Sequence, residues 1–206
     1  MNGDKHALTG VAAAVATAPA AALTGVPLPM WVGAVTAGSI WPDGDMPGAS
    51  ISRMWGPVSA TVVKAVSPLV GGHRGLTHHP VAGVAGAVAV LVVASLHPVS
   101  SAVAWAVVVG VALAAAARLG APVPWPVNLS VSAAAGWLAY SSGAAVWIAA
   151  PGIAVGIIVH LLGDRVPDKS ARAVVVVVAS YVFLAGWAVW PALHPHITRL
   201  IEGVTA

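Results

Sequence analysis

Three imidazoles and a guanidinium stand within seven residues at His73-Arg74-Gly75-Leu76-Thr77-His78-His79, in a chain of which 7% of the residues are charged. Imidazole nitrogens ligate metals or carry protons near neutral pH, and a guanidinium grips phosphate or carboxylate oxygens in pairs. An ionisable side chain costs free energy to keep in apolar surroundings, so the cluster points to a site. His73 and His78 are five apart, which puts them on no common helical face, and Gly75 between them suggests a loop. Thr77 is placed to cap a helix that starts near Pro80. The free amides of that helix start, with Arg74 beside them, would make an anion pocket. The plainer reading is an interfacial loop with polar anchors.

Three further stretches carry the same chemistry. Asp43-Gly44-Asp45 follows Pro42, and Gly44 lets the chain turn so that two carboxylates approach one cation; a surface turn yields the same pattern. His160 and Asp164, four apart, share one helical face, as in a metal clamp or a His held by a carboxylate, or as a helix-end His beside a solvated Asp. His6 precedes the first apolar segment and taken alone is an interfacial His. The chain has no cysteine, so a metal must be held by nitrogen and oxygen donors. Such a mixture suits one or two divalent ions, zinc first, with Mn, Fe or Mg as alternatives. Two ions would clamp an in-line displacement at phosphorus and activate a water, with Arg74 offsetting charge on the phosphoryl group. There is no Gly-x-Ser-x-Gly elbow, P-loop or dinucleotide fingerprint. His97, His194 and His196 fall at the far ends of apolar segments and read as interfacial residues.

The elements that must position these residues are membrane helices. The hydrophobic fraction is 59% and the mean hydropathy +0.91, whereas a soluble domain is about half apolar and about a quarter charged. The net charge of +3 comes from scattered basic residues with no nucleic-acid stripe. Residues 7–23 resemble a signal peptide with Ala18-Pro19-Ala20 at the cleavage position, but Asp4 beside Lys5 makes a weak leader, and the segment is taken as a retained helix. With residues 29–41 it forms a short or re-entrant N-terminal hairpin. Residues 51–70 carry Arg53 and Lys64 and are broken by Pro57 and Pro68, as an interfacial segment would be. Residues 80–96, 99–119, 127–140, 144–162 and 173–190 read as spans, with 127–140 and 144–162 flanking the Ser141-Ser142-Gly143 turn. The expectation is an all-α polytopic membrane bundle of about five to seven helices. It forms a single integral membrane domain over 1–206: hairpin and site segment at 1–79, transmembrane bundle at 80–193, tail at 194–206. Most of the nine Trp, among them Trp41, Trp125 and Trp190, mark span ends.

Following the chain across the bilayer places Lys5, Arg53, Lys64, Arg74, Arg118, Arg165, Lys169 and Arg172 on the side of His6, with Arg199 alone opposite. The positive-inside rule makes that side cytoplasmic. His6, Asp43, Asp45, His73, His78, His79, His160 and Asp164 then all reach one face from four separate stretches.

In order, His6-x-x-x-Gly10, Pro42-Asp43-x-Asp45, His73-Arg74-Gly75-x-Thr77-His78 and His160-x-x-x-Asp164 resemble the YdjM-like family of predicted inner-membrane, metal-dependent hydrolases. The resemblance covers roughly residues 1 to 165, and the central heptad is its specific part. It implies a multi-pass inner-membrane protein with His6, Asp43, Asp45, His73, Arg74, His78, His160 and Asp164 as the site. A looser similarity to zinc-dependent phospholipase C proteins points toward phosphoester substrates by analogy. The chain departs where His79 replaces the usual Ser, and after Asp164, where Arg165-Val166-Pro167-Asp168 replaces a Thr-Pro-x-Gly stretch. The role of Asp168 is therefore open.

The expected function is a metal-dependent hydrolase facing the cytoplasm. His6, Asp43, Asp45, His78 and His160 would bind the metal, His73 and Asp164 complete or orient the ligands, and Arg74 hold a substrate anion. Its partners would be membrane lipid and a small-molecule or lipid-like substrate, with no nucleic acid. Competing readings are a transporter or channel with the cluster as an ion site, and a non-catalytic membrane interaction protein. A transporter predicts polar groups near mid-bilayer and a related second half of the chain.

Overall fold

The computed structural model describes residues 3–72 and 75–165. The expected span 173–190, the tail, Asp168, His73 and Arg74 lie outside the described residues. All regular structure among the described residues is helical. Proline starts most of it: Pro19, Pro29, Pro57, Pro80, Pro98 and Pro126 each occupy the first or second position of a helix, where the missing amide costs no hydrogen bond.

The N-terminal hairpin consists of α1 (Gly3–Ala16), α2 (Ala18–Thr24) and α3 (Leu28–Gly38). Gly25, at φ 69°, ends α2 in the left-handed conformation glycine tolerates. The indole Nε1 of buried Trp31 donates to Thr17 Oγ1 at 3.1 Å and ties the turn end of the hairpin. A short 3-10 helix, Trp41–Asp45, follows, then α4 (Ser50–Arg53) and α5 (Pro57–Leu69). Pro57 opens α5 and Pro68 sits in its last turn, so the proline-punctuated segment is two short helices. The remaining helices are α6 (Pro80–Ala94), α7 (Pro98–Arg118), α8 (Trp125–Ser142) and α9 (Ala150–Arg165).

Small residues set how these helices pack. A Cβ on Gly152 would lie 2.7 Å from Ala34 Cβ, one on Gly156 2.6 Å from Ser39 N, and one on Gly38 2.9 Å from Ile153 Cα. The α3 and α9 backbones therefore touch along a Gly-x-x-x-Gly stripe, and the rising numbers on both sides show that they run parallel. Gly10 of α1 faces Ser39 and Thr36 just as closely. On the other side, Gly136 of α8 faces Ala102 of α7, and Gly110 faces Ser132, in antiparallel register. Buried Asn128 ties this layer: its Nδ2 donates to Gly110 O at 3.0 Å, and its Oδ1 accepts from Trp55 Nε1 at 3.2 Å.

Helix direction alternates along the bundle. Trp105 Nε1 and Ser101 Oγ, near the start of α7, both donate to Ala144 O just past the end of α8. At the other end of α7, Arg118 Nε donates to Ser50 Oγ at 2.6 Å and Nη1 reaches Asp4 at 3.4 Å. So α1, α6 and α8 begin at the end of the bundle where α3, α7 and α9 finish.

Two stretches, Pro98–Arg118 and Val146–Arg165, are long and apolar enough to cross a membrane, and Leu28–Gly38 and Pro80–Ala94 are shorter apolar helices. α6 has 15 residues, about 22 Å at 1.5 Å per residue, against about 30 Å for a bilayer core. α8 is diluted by Asn128, Ser130 and Ser132.

Candidate metal centre

At the end of the bundle where α1 and α6 begin and α3 and α9 finish, four stretches meet. His6 comes from the second turn of α1, Asp43 and Asp45 from the 3-10 helix after α3, His78 from the short 3-10 helix Leu76–His78 before α6, and His160 and Asp164 from the last turns of α9. The three His side chains are buried, at 1%, 7% and 0% exposure, while Asp43 and Asp164 keep 20% and 17%. The carboxylates thus form the accessible side of the cluster. The glycine contacts explain the convergence: with Gly156 against Ser39, His160 is carried one turn further along α9 to the level of the Asp43 turn.

With both imidazoles neutral, hydrogen bonding decides which nitrogen of each carries the lone pair. His160 Nδ1 lies 2.8 Å from Ser39 O. A carbonyl only accepts, so Nδ1 carries the proton and Nε2 presents its lone pair. Thr77 donates its hydroxyl hydrogen to Asp45, leaving its oxygen to accept from His78 Nδ1 at 3.2 Å; Asp45 Oδ2 lies 3.5 Å from that nitrogen. His78 Nε2 is therefore also a lone pair. The two Nε2 atoms face each other at 3.2 Å, with Asp43 Oδ1 at 3.8 Å from His78 and 3.7 Å from His160.

Three acceptors turned toward one point repel unless a cation joins them. The carboxylate distances are too long for N–H···O hydrogen bonds. The triangle with sides 3.2, 3.7 and 3.8 Å has a point equidistant from its corners at about 2.1 Å, the usual length of Zn–N and Zn–O bonds. Holding the remote nitrogen of a ligand His by a carbonyl or carboxylate is the common supporting arrangement at metal sites, and both His have it. Asp43, His78 and His160 could hold a metal ion.

A second triplet, His6, His160 and Asp164, shares the same His. His6 Nε2 lies 3.2 Å from Asp164 Oδ1, His160 Nε2 lies 3.7 Å from Asp164 Oδ2, and the His6 and His160 rings stack at 3.7 Å and 16°. One Nε2 lone pair serves one ion, so the triplets are not two independent three-donor sites.

The structure thus brings His6, Asp43, Asp45, His78, His160 and Asp164 together, but in different places. Asp45 stands at the Nδ1 side of His78 and belongs to neither triplet. Thr77 is not the cap of α6: its hydroxyl turns to Asp45 and His78. The cap is exposed His79, whose Nδ1 accepts from Ala82 N at 3.3 Å. His97 caps α7 in the same way, accepting from Val99 N at 3.2 Å. Two contributors escaped the sequence reading. Ser39 acts through its backbone carbonyl, which no side-chain pattern announces. Arg165, counted only toward topology, donates from Nη2 to His78 O at 3.4 Å; its position one residue past Asp164 was the available signal.

Comparisons with protein-family models, with curated proteins and with solved structures find no match.

Proposed function

We propose that this chain is a polytopic inner-membrane, metal-dependent hydrolase of the YdjM-like kind, with its site at the cytoplasmic face, and that it cleaves a phosphoester of a lipid-like substrate. The observation that carries the reading is the pair of buried imidazoles of His78 and His160, whose Nε2 atoms lie 3.2 Å apart and both face Asp43. A divalent cation, zinc first, supplies Lewis acidity and lowers the pKa of a water in such a setting.

The chain's own residues supply the rest. Asp43, His78 and His160 hold the ion, and Asp45, Thr77 and the Ser39 carbonyl fix the two imidazoles in the ligating tautomer. Asp164, partly exposed and 3.2 Å from His6 Nε2, takes the proton released when water attacks phosphorus and returns it to the alkoxide oxygen that departs as the ester P–O bond breaks. Arg165, with Arg74, offsets charge on the phosphoryl oxygens. The cluster at one end of the bundle supports headgroup chemistry over transport, which needs polar groups near mid-bilayer.

The test is purified protein analysed for bound metal, then assayed against phosphodiester and phosphomonoester lipids with and without chelator. Cleavage that disappears on chelation and returns with zinc or manganese supports the proposal. Folded protein that binds no divalent metal, or that binds it and cleaves no phosphoester, overturns it.

A further inference from the structure

An apolar cavity lies beside the cluster, on the Asp45 and Thr77 side of His78. The cavity, of about 230 Å³, is lined by Trp41, Met54, Val63, Val107 and Val111, with Gly44, Asp45 and Thr77 at one end. A groove of about 710 Å³ between α6 and α7 shares Trp41 and Val107 with it and continues past Val103 to Val99. Both lie along α7 and abut at Trp41 and Val107, as inner and outer lengths of a candidate path. Val99, Val103, Val107 and Val111 recur every four residues and form one stripe of that helix. The inner length has a buried floor, with Val111 1%, Val63 5% and Met54 7% exposed, and an open rim at Val62 and Val66, while Val99 and Val103 at the outer length are 52% and 59% exposed.

We propose that this path holds one hydrocarbon tail of a membrane lipid whose phosphate-bearing head sits at the metal centre. The proposal rests on the hydrolase reading for the head and on the path itself for the tail. The occupant follows from the two ends. The inner end stops at the Gly44-Asp45 turn, next in the chain to Asp43, the partly exposed carboxylate of the candidate metal centre, and an ion held there would attract an anion. The outer end opens along the side of α7, one of the two stretches apolar and long enough to cross a membrane. From Val99 to Val111 is twelve residues, about 18 Å of helix, the length of an extended chain of about 14 carbons. Moving a tail from bilayer to protein gains little, because lipid is as apolar as the lining. The path therefore adds register rather than affinity: it sets which bond of the lipid reaches the ion.

The experiment uses full-length, zinc-loaded protein in phosphatidylcholine vesicles carrying a phosphatidic acid with a diazirine at mid-chain. After photolysis, the labelled residues are mapped by mass spectrometry. Labelling concentrated several-fold on Val62, Val66, Val103 and Val107, over Val131 and Leu138 of α8, supports the proposal. So does its loss in Val103→Trp and in Val62→Trp, both rim positions whose exposed side chains leave the fold intact, with Val131→Trp unchanged. Label spread evenly over the outward-facing residues, or the same pattern with a neutral diacylglycerol probe, overturns it. Labelling needs no turnover, so a groove that labels in a protein without hydrolytic activity defeats the hydrolase reading alone, and hydrolysis without groove labelling defeats the tail site alone.

Discussion

Asp43 and Asp45 are equivalent in sequence, flanking one glycine, yet the structure gives them different tasks, and replacing each by Asn separates those tasks. Asp43 Oδ1 lies 3.7 and 3.8 Å from the two bare Nε2 atoms and supplies the third donor. Asp45 Oδ2 lies 3.5 Å from the protonated nitrogen of His78 and acts on the ion only through that ring. Removing a group that orients a ligand lowers metal affinity about 10- to 100-fold, or ~1.4–2.7 kcal/mol. D45N therefore keeps a one-ion stoichiometry with affinity reduced in that range. D43N removes one of three donors and its charge, and affinity falls about 1,000-fold or more, ~4 kcal/mol. Thr77→Val, one bond further out, costs about 10-fold or less. The assay is competition with a chromogenic chelator on detergent-purified protein, with circular dichroism reporting that helix content is unchanged. Equal losses in D43N and D45N, or a harmless D43N, would refute the assignment of lone pairs on which the metal centre rests.

Other perturbations test the scaffold separately from the site. Gly156→Leu drives a side chain into the α3 backbone at Val35 and Ser39 and should destabilise by about 3 kcal/mol or more, measured as loss of cooperative unfolding in detergent, with metal binding lost alongside. Asn128→Leu leaves Trp55 Nε1 and Gly110 O without their amide partner and should cost about 1–3 kcal/mol while metal affinity stays within twofold. His79→Ala removes the α6 cap for about 1 kcal/mol, again with metal affinity unchanged, which distinguishes it from His78→Ala in the same titration. Zinc at about 100 times its dissociation constant should stabilise the protein by about 2.7 kcal/mol, seen as a rise in melting temperature that His160→Ala abolishes.

The convergence of four stretches was legible because it needs only parity. Helices that alternate direction bring His6, Asp43, His78 and His160 to one end whatever the details of packing, and the spacing of His160 and Asp164 puts both on one face of α9. Helix starts were legible too, since prolines at first turns mark them. What sequence could not separate was Asp43 from Asp45, because their roles depend on which nitrogen of His78 each carboxylate meets. That is settled by the turn of the short helix Leu76–His78 and by the Thr77 hydroxyl, one of several polar groups that hydroxyl could have chosen. The Thr77 cap failed for the same reason: a carboxylate within reach outcompeted a helix amide, and His79 took the amide. Gly152 and Gly156 were readable as a small-residue stripe eight and four residues before His160, and their partner helix was not, because any apolar helix offers such a surface.

The metal reading finally rests on what this fold would otherwise have to tolerate. Only six acidic residues exist in the chain, and three of them, Asp43, Asp45 and Asp164, are packed against three imidazoles at the end of an apolar bundle. Carboxylates brought together in a poorly solvated space repel one another, and burying each costs several kcal/mol unless it is compensated. In their neutral forms, with Ser39 and Thr77 taking the protons of the far nitrogens, both imidazoles turn Nε2 toward Asp43. Keeping it turned toward two lone pairs makes sense when a divalent ion joins all three, and the partial exposure of Asp43 and Asp164 leaves open the side from which a phosphate could reach that ion.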